Sequence, residues 1–439
     1  MAEPYDSEET VAGLTSDLIR FDTTNRGGGD CRERPAAEYV ATWLADAGHR
    51  PVLLESAPGR SNVVTRIEGS EPGRDALLVH GHLDVVPAQA AEWSVPPFSG
   101  EIRDGVVWGR GAVDMKGTVA MVLDVVAAWS RQGRRPRRDI VLAFTADEED
   151  TARFGAGFLV DRHPDLFEGC TEAIGESGGY AFHAADGVRV YPVAAGERGT
   201  AWLRLTAHGR AGHGSRRNPD NAVTRLAEAI ARIGAYQWPP RMTPVVRAAI
   251  AGLATAVGAE VDPDDPALSV DRLGAALGPA AALVGASLSN SANPTMLDAG
   301  YKVNVIPAEA VGYVDGRVLP GHEKEFAATL DELVGPHVTW EYLHREIPLA
   351  ASMDTATFAA MRAALLAADP AGHVVPYCMS GGTDAKQFAR LGIAGYGFAP
   401  LGLPAGFDYL AMFHGVDERV PVAALRFGAR VLDQFLLQC

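Results

Sequence analysis

The chain has 439 residues, nearly three times the ~150 of a typical domain, so two domains or one large domain with an insertion are expected. Apolar residues make up 47% and charged residues 21%, which excludes a disordered tail or a fibrous protein. Thirty-nine Lys and Arg against fifty-five Asp and Glu leave a net charge of −16, a surface that repels phosphate and argues against a nucleic-acid partner.

The N-terminal MAEPYDSEET is acidic and has neither the apolar run of a secretory signal nor the basic amphipathic pattern of a transit peptide. Residues 10–20 and 35–47 space their apolar side chains as helices do, while 76–79, 140–144 and 173–174 are short apolar runs ending in polar residues, as strands do. Residues 117–129, GTVAMVLDVVAAW, predict a largely buried helix, and the basic run at 131–138 a solvated loop. This alternation predicts an α/β sheet layered by helices, with ligands gathered at the carboxyl ends of the strands.

Near Gly196 the pattern changes. A strand at 201–207 precedes a helix opened by Asn218-Pro219, with Val223, Leu226, Ile230 and Ile233 on one face. After an Ala/Gly/Pro-rich stretch at 238–299 come strands at 301–306 and 311–318, a helix at 323–334 and a strand at 338–343. The order β-α-β-β-α-β is the plan of a ferredoxin-like domain with a long insertion after its first helix. From about residue 345 the α/β pattern resumes. The expected organisation is a catalytic α/β domain in two pieces, 1–196 and 344–439, around an inserted domain at 197–343. The longest uncharged stretch, 273–297, is broken by Pro279, unlike a ~20-residue membrane helix, so no membrane partner is expected. Cys31, Cys170, Cys378 and Cys439 form no C-x-x-C pair and, with no export signal, read as reduced thiols of a cytoplasmic protein.

Five segments carry chemistry. His80-Gly81-His82-Leu83-Asp84 follows a strand; His82 and Asp84 point the same way in an extended segment, so Asp84 can orient the imidazole. Alone, this pair is better explained by a histidine hydrogen-bonded in a turn. Gly109-Arg110-Gly111-Ala112-Val113-Asp114-Met115-Lys116-Gly117 delivers Asp114 where a dinucleotide loop would have its third glycine; a carboxylate there repels pyrophosphate and suits a metal bridge. Asp147-Glu148-Glu149-Asp150 sits at a strand's carboxyl end, where one glutamate can bind metal while its neighbour moves a proton. Glu176 follows another apolar run, and His414 lies in Met412-Phe413-His414-Gly415-Val416-Asp417-Glu418. Two histidines and several carboxylates on one sheet edge form the ligand set of a paired metal site, with zinc first and cobalt or manganese as substitutes.

With these segments the chain resembles the dizinc aminoacylases, the carboxypeptidases of the G and S types and the succinyl-diaminopimelate desuccinylases, over essentially its whole length. The resemblance implies a zinc-exopeptidase-like sheet sandwiched by helices, with the ferredoxin-like domain acting as a lid and a dimerisation surface. It implies that Asp114 bridges two zinc ions, that His82 and Glu176 complete one site, and that Glu149 and His414 complete the other. Glu148 would be the general base acting on a metal-bridging water, and Asp84 the partner of His82. Aminoacylase-type relatives read D-E-G where this chain reads Gly175-Glu176-Ser177. His213, in GRAGHGS, resembles a lid histidine that helps to hold the oxyanion; Asn304 and Arg317 resemble contacts to oxyanion or substrate carboxylate. Ser380, Gly381, Gly382 and Thr383 resemble a loop offering N–H groups to that carboxylate. The implied substrate is a short peptide or N-acyl amino acid with a free carboxylate, cleaved at its amide bond; monomer and lid-mediated homodimer both stay open.

Two rivals remain at this stage. Gly175-Glu176-Ser177-Gly178-Gly179 fits the serine elbow G-x-S-x-G, with Asp384 or Asp408 and then His414 in the order of a serine esterase, but that motif needs a helix directly after Ser177. The other is a catalytically silent metal-binding relative, against which an intact Glu148 argues.

Overall fold

The computed structural model describes residues 10–185, 187–265 and 268–439; the acidic N-terminal segment lies outside the described residues up to its last residue, Thr10. Among the described residues the larger sheet has ten strands. At its centre, Ala76–His82 lies parallel to both Ile140–Thr145 and Cys170–Gly175, and Cys170–Gly175 is parallel to Ala394–Gly397. Antiparallel strands extend both sides, Arg60–Ile67 and Val52–Ala57 on one, Val188–Glu197 with its neighbours on the other. Helices cover both faces, so the central strands need apolar residues at every position, and all of Ile140–Thr145 is buried. Alternate side chains divide between two cores: Leu77 and Val79 face one, Leu78 and Val141 the other.

The helix Lys116–Gln132 is buried from Lys116 to Trp129 between the sheet and the helices Thr10–Ile19 and Val422–Gln438. It ends at Gly133, whose φ of 63° is a left-handed cap that favours glycine. Among the described residues no helix is long and apolar enough to cross a membrane.

A second, four-stranded antiparallel sheet has the order Ser291–Ala299, Glu309–Val318, Gly199–His208, Val338–Arg345. The helices Ala222–Ala235 and Glu323–Val334 pack on it through Leu226, Ile233, Phe326 and Leu330. The chain order is the βαββαβ read from the sequence, with two local corrections. The second strand is Ser291–Ala299 and not 301–306, of which only Val305–Ile306 is extended, paired with Gly212–His213. Ser291–Ala299 is an edge strand, which is why it tolerates Pro294 and carries little of the β-branched signature of an inner strand. The helix Ala222–Ala235 is capped by Asn221, whose side chain accepts from the N–H of Val223 and Thr224; Asn218 instead folds a preceding turn by accepting from the N–H of Asp220.

The stretch at 238–299, apart from Pro266 and Ala267, which lie outside the described residues, is mainly helical before that edge strand. Thr243 caps the helix Pro244–Val257, and Val246, Ile250 and Leu253 pack it on His373–Met379, in the core of the larger sheet. Leu253 is fully buried there. Leu253→Ala should therefore cost about 2–5 kcal/mol, read as a lower denaturation midpoint. An unchanged midpoint would mean that this helix is not part of that core.

Candidate active site and metal centre

Three parallel strands end together at the site. His82 is the last residue of Ala76–His82, Glu148 and Glu149 follow Ile140–Thr145 in the next turn, and Glu176 comes directly after Cys170–Gly175. Asp114 stands two residues before the helix Lys116–Gln132, in a loop where a Cβ on Gly117 would meet the carbonyl oxygen of Ala112 at 2.4 Å. His414 arrives from a loop near the C-terminal end of the chain with a φ of 58°.

Asp114 lies between the two imidazoles. Its Oδ1 is 3.1 Å from His82 Nε2 and its Oδ2 3.4 Å from His414 Nε2. Glu149 Oε2 is 3.2 Å from His414 Nε2, and Glu176 Oε2 is 3.9 Å from His82 Nε2. The ligand atoms of His82, Asp114 and Glu176 lie within 4.8 Å of one another, as do those of Asp114, Glu149 and His414. Glu148 belongs to neither triad; its Oε2 is 3.9 Å from His82 Nε2 and its side chain faces the cavity.

The donor set fits divalent cations. His82 Nδ1 is 3.0 Å from the carbonyl oxygen of Asp84, which can only accept, so Nδ1 carries a proton and Nε2 faces Asp114. Nε2 and Asp114 Oδ1, 3.1 Å apart, share either a proton or a metal cation. Glu149 Oε1, buried and without a hydrogen-bond partner among the described residues, is likewise open to a cation.

The electrostatics agree. Burial pushes Glu176 up to about 8 and Glu149 up to about 7, with Asp114 adding to both. Burial raises Glu148 as well, helped by Glu176. Hydrogen bonds with Asp114 and Glu149 lift His414 to about 10. Burial opposes protonation of His82, but Asp114 and Glu176 outweigh it and raise its pKa. Asp114 is held low, against burial, by the two imidazoles. Here protons take the place that cations would fill.

The surrounding residues fix the candidate ligands. Asp84, fully buried, accepts from the N–H groups of Glu148 (3.2 Å) and Glu149 (3.1 Å) and from Asn25 Nδ2 (2.9 Å). Its carboxylate stands 3.7 Å from His82 Nδ1, so its hydrogen bonds hold the glutamate turn and its carbonyl holds the ring. Asp147, at φ 67°, accepts from Arg60, which also forks onto the buried Glu33. Asn25, Arg60 and Glu33 had no signal in the sequence, being far from the motifs; Glu418 had one, four residues after His414.

A cavity of about 490 Å³ opens over Asp114, Glu149, Glu176 and His414. Arg317, Ser380, Gly381 and Gly382 line it, Arg317 forked onto Asp315. Thr383 does not: its N–H and hydroxyl donate to Glu197. His213 and Asn304 also lie outside, next to each other, with the Gly214 N–H donating to the Asn304 carbonyl. No helix starts at Ser177; the strand Phe182–Ala185 comes next, so the serine elbow is absent.

A sequence model of peptidase family M20/M25/M40 matches residues 78–438. Aminoacylase-1 of Sus scrofa is 27% identical over 392 residues, 87% of this chain and 84% of that protein. The N-fatty-acyl-amino acid synthase/hydrolase of Bos taurus is 25% identical over 427 residues, 91% of this chain and 81% of that one. The M20 family metallo-carboxypeptidase Sso-CP2 of Sulfolobus solfataricus has a TM-score of 0.72 at 17% identity over 98% of both chains, a likeness of fold.

Raised pKa values at the site have a consequence for stability. Between the ordinary carboxyl value of 4.5 and about 7–8, the cation-free folded chain holds protons on Glu149 and Glu176 that the unfolded chain has released. His82 and His414 do the same above 6.5. The folded state thus binds more protons, so its stability falls as pH rises from about 5 to 8. Thermal midpoints of chelator-stripped and cation-loaded protein should diverge over that window, the stripped form losing ground; parallel profiles would refute the charge assignment.

Proposed function

This chain belongs to peptidase family M20/M25/M40, and on that premise we propose that it hydrolyses the amide bond of short peptides or N-acyl amino acids bearing a free carboxylate. The carrying observation is Asp114, with one oxygen toward each of two histidine-containing triads, beside a glutamate that belongs to neither. We assign His82, Asp114 and Glu176 to one cation and Asp114, Glu149 and His414 to the other. Zinc suits these imidazole and carboxylate donors first, cobalt or manganese next. When bound, two such cations supply Lewis acidity that polarises the scissile carbonyl and makes water a better nucleophile at neutral pH.

The chain's own residues do the rest. Glu148, its pKa raised by burial and by Glu176, takes a proton from the attacking water and returns it to the leaving nitrogen. Arg317 and the N–H groups of the Ser380–Gly382 turn, all on the cavity wall, receive the substrate carboxylate. Leu283, Tyr409, Leu410 and Phe413 on the same wall support an apolar acyl group or side chain. Four buried, unpaired cysteines support a reducing, cytoplasmic setting.

We further propose that residues 197–343 act as a lid and that two copies pair through it. Ser291–Ala299 is an edge strand with Met296 63% and Leu297 62% exposed, and Tyr301 beyond it is 82% exposed. His213 and Asn304, outside their own cavity, would then reach the partner's oxyanion.

Two experiments test this reading. Glu148→Gln should keep its cations and lower kcat by about 10²–10⁴-fold on a panel of N-acyl amino acids and dipeptides. Unchanged turnover would remove Glu148 from its role, and wild-type activity that survives full chelation would remove the cations from theirs. For the dimer, His213→Ala mixed with Glu148→Gln should regain roughly a quarter of wild-type activity, because one site of each mixed dimer is whole. A mixture no more active than its components would place His213 outside catalysis in trans.

A further inference from the structure

Glu418 is a fully buried carboxylate that no step above uses. Its Oε1 accepts from the N–H groups of Val113 (2.7 Å) and Asp114 (3.0 Å), and its Oε2 from the N–H of Gly111 and from Arg110 Nη1, both at 2.8 Å. Four donors on one carboxylate wrap the 109–114 loop around it. Arg110 Nη2 lies 3.3 Å from the carbonyl oxygen of His414 and 3.5 Å from that of Pro87.

The surrounding fold brings these groups together. Val106–Trp108 pairs with Arg419–Pro421, Trp108 opposite Arg419, and the Gly109 N–H donates to the Glu418 carbonyl at 2.9 Å, extending the ladder by one step. The loop carrying Asp114 and the loop carrying His414 thus leave one small sheet side by side. Asp417 anchors the second loop by accepting from the Ser94 N–H at 2.7 Å.

We infer that Glu418 and Arg110 are positioning residues that register the bridging carboxylate Asp114 against His414, and so set the affinity of the cation those two residues share. The inference rests on the assignment of Asp114 and His414 as cation ligands. The peptide N–H of Asp114 is tied to Glu418, so a shift of that carboxylate moves the bridging side chain. The Arg110 guanidinium ties the same carboxylate to the main chain of His414. A purely structural ion pair would need neither the three N–H contacts nor the bond to a ligand's own carbonyl.

Two variants separate registration from bulk stability. Glu418→Gln keeps the shape but turns an NH₂ group toward donors, and Arg110→Lys keeps a cation while losing the second nitrogen that reaches His414. Competition with a chelator should show about 10–100-fold weaker binding of the cation assigned to Asp114, Glu149 and His414 in both variants, and a smaller loss for the other, which shares only Asp114. The cobalt-loaded variants should show an altered visible absorption spectrum, and kcat should fall with KM within about twofold. Unchanged cation affinities and spectrum would overturn the inference. So would equal weakening of both cations together with a lower melting point of the loaded protein. If Glu418→Gln does not fold, Arg110→Lys decides on the same readouts. A wild-type chain that takes up fewer than two cations overturns the ligand assignment itself, and the inference with it.

Discussion

Asp114, Glu148, Glu149 and Glu176 bring up to four negative charges to a space ringed by two imidazoles, and none of the four carboxyl groups is more than 15% exposed. Burying like charges at such spacing is costly, and proteins meet that cost by protonation, pairing or metal binding. The hydrogen bonds around the site favour the last of these. Asp84, Asp147 and Glu418, one layer out, are supplied with N–H groups and guanidinium donors. The inner four receive almost none beyond the two histidines. Donors that could have neutralised them are spent on their supports instead, which leaves the inner oxygens and the imidazoles to share protons or cations among themselves.

That division explains why the site sits at parallel strand ends. A strand end fixes Cα positions to within the rigidity of the sheet, and the turns after Ile140–Thr145 and Cys170–Gly175 need only one more bond to fix a side chain. Asp84 provides it for Glu148 and Glu149 through two backbone N–H groups. Asp114 and His414 do not come from those strands, so a separate small sheet and a buried ion pair must hold them in register.

The sequence was informative where chemistry and chain order coincide. His82, Asp114, the Glu148-Glu149 pair and Glu176 each follow an apolar run or a glycine-rich turn, and the structure gathers all of them with His414. Legibility failed where pairing is long-range. Ser291–Ala299 has a strand's role but not its pattern, because its ladder with Glu309–Val318 and its place at the edge decide its conformation. Asn25, Arg60 and Glu33 support Asp147 from more than eighty residues away, with nothing local to mark them. The helix Pro244–Val257 lies in a stretch whose sequence reads only as Ala/Gly/Pro-rich; its partner strand, His373–Met379, lies more than a hundred residues later.

The destination of that helix bears on what the cavity can sense. Ala282, Leu283, Ala286 and Ser287, from the same helical stretch, form one wall, and Thr200, Trp202, Arg317 and His344, from the second sheet, form another. Arg198, the single residue between Val188–Glu197 and Gly199–His208, is buried where they meet. Its guanidinium donates to the carbonyl oxygens of Ala286 and Arg317, one on each wall. Lys386, beneath the Gly382 turn, likewise bonds Glu346 and Thr200 across the junction. A rotation of the second sheet about this short link cannot leave the cavity unchanged, because Arg317 moves with it while Leu283 stays with the larger core. Cations bound as proposed would fix where the carbonyl is polarised; the distance from there to Arg317 is set by the angle between the two sheets.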